Sequence, residues 1–600
     1  MRALLSLGLV GTVCLAAACA SPASQATSVA APMAGKRAEG RQGMVSASQQ
    51  DAAQAGAQIL RQGGNAVDAA VATAFALGVV DPSQTGLGGG GAATVWMAAD
   101  RRADHLSFYG RAGAHPAWAE PDTGGRDEDR AGRGAAVPGM VSGLLTLHER
   151  HGSLPLPQVM APAIRLAREG FTVSPLLSRT IASAAARVKL EPRAAELFMP
   201  DGRALRPGDR LVQPELAALL DLIASAGADA FYRSAFAERP AHHLPERGGL
   251  ITQQDMAAYR STWMRPLCTT WRGYTVLGAP PPMGGAVVLE MLHLAELSGL
   301  TSAAAYTDAP ATAASFAQLI RIAQIDGQRW RGDPAVRPVP SNGMVHPAYA
   351  ASRAGLLSAP LTDSVKAGDP WTAVSAPEDA ACAAIDPFRA PPRADGGDDA
   401  TSFAGAVSTS PSAGHGESAR EDSSFTSHLS VVDAAGNAVS MTTTVGVLFG
   451  SGVWTDGVWL NSVGRNFDAA TRGTNRYSNS TMSPTMLLDG TTVRLVVGAA
   501  GSQYIQPATA QVTVRMLAYG EDPAYALAAP RLHPTWSSRE VEVEPGFTAA
   551  VYGGLVSRGF RPLSRVGDIL FGGVHAVYVA PDGRRIGAAD PRRDGFAVAQ

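Results

Sequence analysis

Apolar positions along this chain follow two periods, and the changes of period mark its elements. Over residues 51–60, Ala52, Ala55 and Ile59 share one helical face. Gly63 and Gly64 end that run, and Asn65 stands where it can cap a second helix over 66–80. The second helix is apolar nearly all round, which predicts burial on every side. Helical spacing returns after Pro138 and Gly139, and over 157–168, 214–225, 253–259, 286–297, 314–329 and 506–519. Thr252 and Asp255 supply an N-terminal cap for the 253–259 helix. Strands are predicted over 92–97, 106–111, 495–498, 541–543 and 576–579. The clearest strand pair spans 425–444: Leu429 and Val431, then Ala438 and Met441, alternate with small or polar residues. Between them, Asp433, Ala434, Ala435, Gly436 and Asn437 carry turn chemistry.

What precedes that pair changes its meaning. From 386 to 424 the chain is rich in Pro, Gly, Ser, Ala and Asp, and too poor in large apolar residues to bury a core. A disordered approach therefore runs into a strand that begins with a hydroxyl residue. This suits a protein that cuts itself. If the peptide bond between Phe425 and Thr426 breaks, Thr426 becomes an N-terminus whose amine can act as base for its own hydroxyl. An ordinary hairpin is the other reading of the same residues.

The run T-S-H-x-S-V-V-D-x-x-G-N-A-V-S-x-T-x-T from Thr426 to Thr444, followed by Phe449-Gly450-Ser451-Gly452, resembles the γ-glutamyltransferase (γ-glutamyltranspeptidase, glutathione hydrolase) family. So do Arg61-Gln62-Gly63-Gly64-Asn65-Ala66-Val67-Asp68-Ala69-Ala70, Trp330-Arg331-Gly332-Asp333-Pro334 and, imperfectly, Pro280-Pro281-Pro282-Met283-Gly284-Gly285. The resemblance extends from about residue 44 to the C-terminus. It implies an α/β (α+β) N-terminal-nucleophile hydrolase: a four-layer αββα sandwich built from large and small subunits of one precursor. The large subunit would span 44–425 and the small catalytic one 426–600. The glycine-rich stretch from Gly86 to Gly91 lacks a following Lys-Ser/Thr and opens no helix. Close backbone packing at the start of a strand accounts for it better than phosphate binding.

Composition narrows the field. Six hundred residues suffice for a large core, and a formal net charge of −2 with no like-charge block gives no reason to propose nucleic acid as a partner. Residues 1–19 read as a secretory signal, followed by a linker over 20–43. The sequence Leu15-Ala16-Ala17-Ala18-Cys19 reads either as a lipoprotein cleavage site, with Cys19 bearing the lipid, or as ordinary cleavage near Ala20. Either way export is expected, to the periplasm or to a lipid anchor on the bacterial membrane. Cys268 and Cys382 then remain; their spacing does not decide whether they pair, and they are read as separate thiols. No CxxC, HExxH or clustered His is present, so neither metal nor other cofactor is expected.

The resemblance assigns the site residue by residue. Thr426 is the nucleophile, first on the Phe425 carbonyl and then on the substrate amide; Thr444 helps to orient it. Gly501 and Ser502, at a strand-to-helix turn where backbone N–H groups have no helical partner, form the oxyanion hole. Serine fits there only if its backbone avoids a glycine-only conformation. Ser480 and Thr481 hydrogen-bond the substrate carboxylate, and Arg111 pairs with it. Three positions depart from the family pattern: Gly446 stands for an asparagine, Val463 for Gln or Glu, and Asn466 for an aspartate. In the family these residues hold the substrate's α-ammonium group. Hydrogen bonds to charged groups contribute about 1.5–3 kcal/mol each, so losing two weakens that recognition roughly a hundredfold or more.

The expected activity is hydrolysis of a γ-glutamyl-type amide such as glutathione, through an acyl ester on Thr426, with release to water or an amine. The alternatives are an acylase for glutaryl-type or other dicarboxylic acyl groups, including β-lactam side chains, and a catalytically weak binding homologue. The expected partners are the small-molecule amide and the two subunits for each other.

Overall fold

The computed structural model describes residues 35–120, 132–385, 425–467, 472–565 and 569–600. The expected signal with Cys19 and the 386–424 approach lie outside the described residues. Two seven-stranded antiparallel sheets face each other. Their strands are β1 (Arg37–Gly40), β2 (Met44–Ala47), β3 (Gly90–Met97), β4 (Arg102–Phe108), β5 (Thr262–Met264), β6 (Leu267–Trp271) and β7 (Tyr274–Gly278), followed by β8 (Phe425–Val432), β9 (Ala438–Gly446), β10 (Thr485–Asp489), β11 (Thr492–Ala500), β12 (Gly573–Val579), β13 (Arg585–Ala589) and β14 (Phe596–Ala599). The first sheet runs β14-β2-β8-β9-β3-β4-β5, and the second β1-β13-β12-β11-β10-β7-β6.

Helices cover the outer faces. Against the first sheet lie α1 (Gln50–Arg61) and α2 (Ala66–Val80), which share a core with Leu429, Val431, Val439 and Met441. Against the second lie α3 (Gly285–Leu297), α4 (Pro310–Trp330) and α5 (Ile505–Leu517), packed on Leu487, Leu495, Val497 and Ala499. The apolar residues between the sheets include Met44, Trp96, Leu277, Val432, Met486, Val496 and Val577. The expected four-layer αββα sandwich is therefore the architecture. Every residue of α2 is buried, as its uniform apolarity requires, and Asn65 with Asp68 makes a reciprocal capping box at its start.

Three expectations are corrected. Ala438 does not share a face with Met441: it joins the layer between the sheets, because an odd separation along a strand reverses the side-chain direction. The linker expected over 20–43 ends earlier. Arg37–Gly40 pairs residue for residue with β13, and the Lys36 ammonium donates to the Arg593 and Gly595 carbonyls, so backbone bonds hold a segment with little apolar content. Cys268 and Cys382 are not separate thiols but a disulfide, with Cα atoms 5.7 Å apart across 114 residues of sequence. Strand β6 brings Cys268 to Cys382, and periodicity had not revealed that strand.

The layer between the sheets is partly polar. The hydroxyls of Ser46, Ser430, Ser440 and Thr94 donate across the gap to the carbonyls of Ala588, His575, Val497 and Pro484, at 2.6, 3.0, 3.0 and 3.2 Å. Since the Ser430 proton goes to His575, His428 Nε2 must donate to Ser430 Oγ (3.1 Å), and its Nδ1 accepts from Thr442 (2.8 Å). His428 fits because Gly498 faces it: a Cβ there would stand 2.3 Å from the ring. Burial holds His428 well below the usual histidine range and lowers His575 from 6.5 to about 3. A base held neutral by folding contributes stability above its unfolded value, and that stability is lost as pH falls from 6.5 towards about 3. We therefore expect His575→Gln to flatten the dependence of unfolding free energy on pH by about 1.4 kcal/mol per pH unit between about pH 4 and 6, read by chemical denaturation.

Candidate active site

The β8–β9 pair converges on Thr426. Its register runs Phe425 opposite Gly446, then Ser427 opposite Thr443, which leaves an irregularity around Thr426. The Thr444 hydroxyl donates to the Phe425 carbonyl at 2.5 Å and accepts from the Gly446 N–H at 2.8 Å. One hydroxyl thus polarises the carbonyl of the bond expected to break, and a backbone amide fixes that hydroxyl in turn. Thr426 is 3% exposed.

The neighbouring strand β3 is what allows this approach. A Cβ on Gly89 would stand 2.3 Å from the Thr444 carbonyl oxygen, and one on Gly91 2.4 Å from that of Thr442. Contacts under 3 Å are not tolerated against backbone, so the glycine run is the price of bringing β3 this close to β9.

A cavity of about 360 Å³ opens above Thr426. Thr444, Gly446, Asn466, Ser480, Thr481 and Ser502 line it together with Thr426. At the far end of β11, Gly501 has φ 129° and ψ 41°, which favour glycine, and Ser502 has φ 54°, in the small left-handed region open to other residues. The condition on serine is met. The Ser502 carbonyl accepts the Thr481 hydroxyl (2.8 Å), tying the strand-to-helix turn to the cavity wall that carries Ser480 and Thr481.

Arg111 is placed otherwise than expected. Its backbone bridges Val137 and Tyr477, its Nε donates to the Asn475 carbonyl (3.0 Å), and it is not among the residues lining the cavity. Tyr109 takes that wall instead. Its hydroxyl accepts from Asn466 Nδ2 (2.9 Å) and hydrogen-bonds Ser480, and burial pushes the phenol up to about 12, so it stays a neutral donor. The guanidinium groups lining the cavity are Arg465 and Arg331. Among the described lining residues none is Asp or Glu, and Val463 is buried against Gly110. No cluster of three or more His, Cys, Asp or Glu among the described residues could hold a metal.

Beneath Thr426 lies a polar network that the sequence reading missed. Asp81, at the end of α2, accepts the Ser427 hydroxyl (2.7 Å) and the Gln84 amide (2.9 and 3.0 Å). The Gln84 carbonyl oxygen accepts from Arg593, whose Nη1 also stands 3.4 Å from the Thr426 carbonyl oxygen. Burial raises the Asp81 carboxyl to about 6, against the opposing pull of these donors. Asp81 and Gln84 frame the Pro82-Ser83 turn just before the glycine run, a position that reads as loop in one dimension.

The Gamma-glutamyltranspeptidase family model matches residues 52–600. The chain is 33% identical over 584 residues to the "Acylase ACY 1 proenzyme" of Pseudomonas sp. (strain SE83), covering 94% of each. It is 30% identical over 620 residues to the "Glutathione hydrolase proenzyme" of Escherichia coli (strain K12), covering 99% of this chain and 97% of that one. Among solved structures it resembles cephalosporin acylase from Bacillus halodurans, with a TM-score of 0.79 and 27% identity, covering 96% and 98% of the two chains.

Gly446 sits at φ 94°, and a Cβ there would lie 2.3 Å from Ser462 Oγ. Gly446→Ala should therefore lower the unfolding free energy by about 1–3 kcal/mol, measured by denaturant titration.

Proposed function

Because this chain belongs to the gamma-glutamyltranspeptidase family, a family of N-terminal-nucleophile hydrolases, we propose that it cuts its own Phe425–Thr426 bond and then hydrolyses γ-glutamyl-type amides through Thr426. The observation that carries this reading is the Thr444 hydroxyl on the Phe425 carbonyl, with Thr426 facing the cavity. In maturation, Thr426 Oγ attacks the polarised carbonyl carbon and the C–N bond breaks. The hydroxyl proton passes to the departing nitrogen, and water hydrolyses the resulting ester, leaving a Phe425 carboxylate and a Thr426 amine. In turnover, that amine takes the proton from Thr426 Oγ as it attacks the substrate amide. Negative charge develops on the substrate oxygen, for which the Gly501 and Ser502 N–H groups are the fixed donors. The leaving amine departs with the proton, and water releases the acyl group from Thr426.

The acyl end lies against Ser480, Thr481, Asn466 and Tyr109. We place the reaction outside the cytoplasm, whether or not Cys19 carries lipid. The disulfide between Cys268 and Cys382 supports that placement, because such bonds persist in oxidising compartments. The two pieces of the precursor remain each other's partner.

Intact mass measurement tests the central step. Wild type should give pieces of 425 and 175 residues before signal removal, and Thr426→Ala one uncut chain. A wild-type protein that stays whole would overturn the reading.

One observation favours a second acyl group. With Gly446 and Asn466 on the cavity wall and Val463 buried against Gly110, no side chain at these three positions carries a negative charge for an α-ammonium, so an acyl chain ending in a carboxylate but lacking the α-amine fits better. Glutaryl anilide should then be cleaved with kcat/KM at least tenfold above γ-glutamyl anilide; the reverse preference restores the γ-glutamyl assignment alone.

A further inference from the structure

Once the backbone is cut, the amine of Thr426 has to be unprotonated to accept a proton from its own hydroxyl. An ordinary α-amine titrates at about 7.7–8.0, so in neutral or mildly acidic surroundings most of it would be ammonium and inactive. The structure places a fixed positive charge beside this group. Arg593 Nη1 stands 3.4 Å from the Thr426 carbonyl oxygen. That oxygen and the nitrogen destined to become the amine belong to the same residue and lie about 3 Å apart by covalent geometry. The guanidinium is therefore within roughly 6 Å of the future amine, close enough to disfavour a second positive charge there.

Arg593 is held from several sides. Nη1 also donates to the Gln84 side-chain oxygen, Nη2 donates to the Ile569 carbonyl (3.1 Å), and the residue is 3% exposed. Gly573 leaves room for it: a Cβ there would meet the Arg593 side chain at 2.5 Å. Gln84 in turn holds Asp81, so one amide spans a cation and a carboxyl.

We propose that Arg593, braced by Gln84 and Asp81 against the Thr426 carbonyl, is a positioning residue whose charge keeps the amine freed by cleavage unprotonated and ready to act as base. The inference rests on the reading of Thr426 as the nucleophile.

Apart from the Phe425 carboxylate that the cut itself creates, the other charges around the network do not reverse the sign. Asp81 is the nearest carboxyl, but it reaches the Ser427 hydroxyl, one residue further on and on the opposite face of β8, and it is itself buried enough to hold its proton more readily than usual. Asp594 acts on Asp81 in the same direction. Asp590 is bonded to Arg531 (2.6 Å) and Arg592 (3.1 Å). The Lys36 ammonium sits on the Arg593 carbonyl, His575 is neutral, and Arg465 lines the cavity opposite; none of these adds negative charge. Burial of Thr426 acts with Arg593, since it too disfavours the ammonium form.

The test is the pH profile of kcat/KM for matured protein on a γ-glutamyl or glutaryl anilide, whichever wild type cleaves. Arg593→Gln should move the acidic limb up by about one pH unit, so that activity is about tenfold lower below the limb and close to wild type at high pH. Arg593→Lys should restore the wild-type limb, and Gln84→Met, which removes the acceptor that braces Arg593, should move it up as Arg593→Gln does. Should Arg593→Gln fail to mature, the Gln84 variant still carries the comparison, with Arg593→Lys as the control that keeps the wild-type limb. A limb that stays in place in Arg593→Gln and Gln84→Met, or an activity loss equal at every pH, would overturn the inference and leave Arg593 a packing residue. A wild type that remains one chain and releases no anilide defeats instead the assignment of Thr426 on which this rests.

Discussion

The site depends on how closely two backbones can lie. Strand β9 runs beside the chain at Gly89 and Gly91, where a side chain would strike the carbonyls of Thr444 and Thr442. Further along, Gly450 lies so near Leu460 that a Cβ would come within 2.0 Å of its carbonyl oxygen. These contacts set the height of Thr444, Thr444 sets its hydroxyl on the Phe425 carbonyl, and that bond fixes the irregular start of β8. A rearrangement of a few tenths of an ångström at the glycines would be passed directly to the reacting groups. This is why a glycine-rich stretch with no phosphate to bind lies so near the chemistry.

The gap between the sheets solves a different problem. Two antiparallel sheets could be joined by apolar contact alone, and around Met44, Trp96, Leu277, Val432, Met486 and Val577 they are. Near the site, hydroxyls from the first sheet donate instead to backbone carbonyls of the second, and two histidines are held neutral among them. A hydrogen bond has a direction that dispersion lacks, so such bonds fix the register of one sheet on the other, each contributing about 1 kcal/mol. Register matters here because Thr426 hangs from the first sheet while the Gly501–Ser502 turn ends a strand of the second.

Much of this was legible in one dimension. The hairpin, the buried second helix and its asparagine cap follow from periodicity and capping chemistry, and the family motif singles out Thr426, Thr444, Ser480 and Thr481, which line one cavity. What stayed hidden has physical reasons. The β6–β7 hairpin turns on Arg272 and Gly273, both at positive φ, outside the Asn-Gly or Asp-Gly pairs that announce such turns. The disulfide depends on β6 and so stayed hidden with it. Arg111 matches a motif position, yet backbone pairing with Val137 and Tyr477 carries its side chain elsewhere, and Tyr109 faces the cavity. Asp81, Gln84 and Arg593 are joined across as many as 512 positions of sequence, a distance no local pattern spans.

Both sheets interleave strands from either side of residue 426. In the first, β14, β8 and β9 alternate with β2 and β3; in the second, β13 through β10 lie between β1 and β7. Cutting the backbone therefore leaves two polypeptides that cannot part without dismantling both ladders. Before the cut, unfolding is a unimolecular event that can reverse itself. Afterwards the unfolded products diffuse away from each other, and reassembly becomes second order in their concentrations. The matured molecule persists by the height of its unfolding barrier rather than by the depth of its minimum.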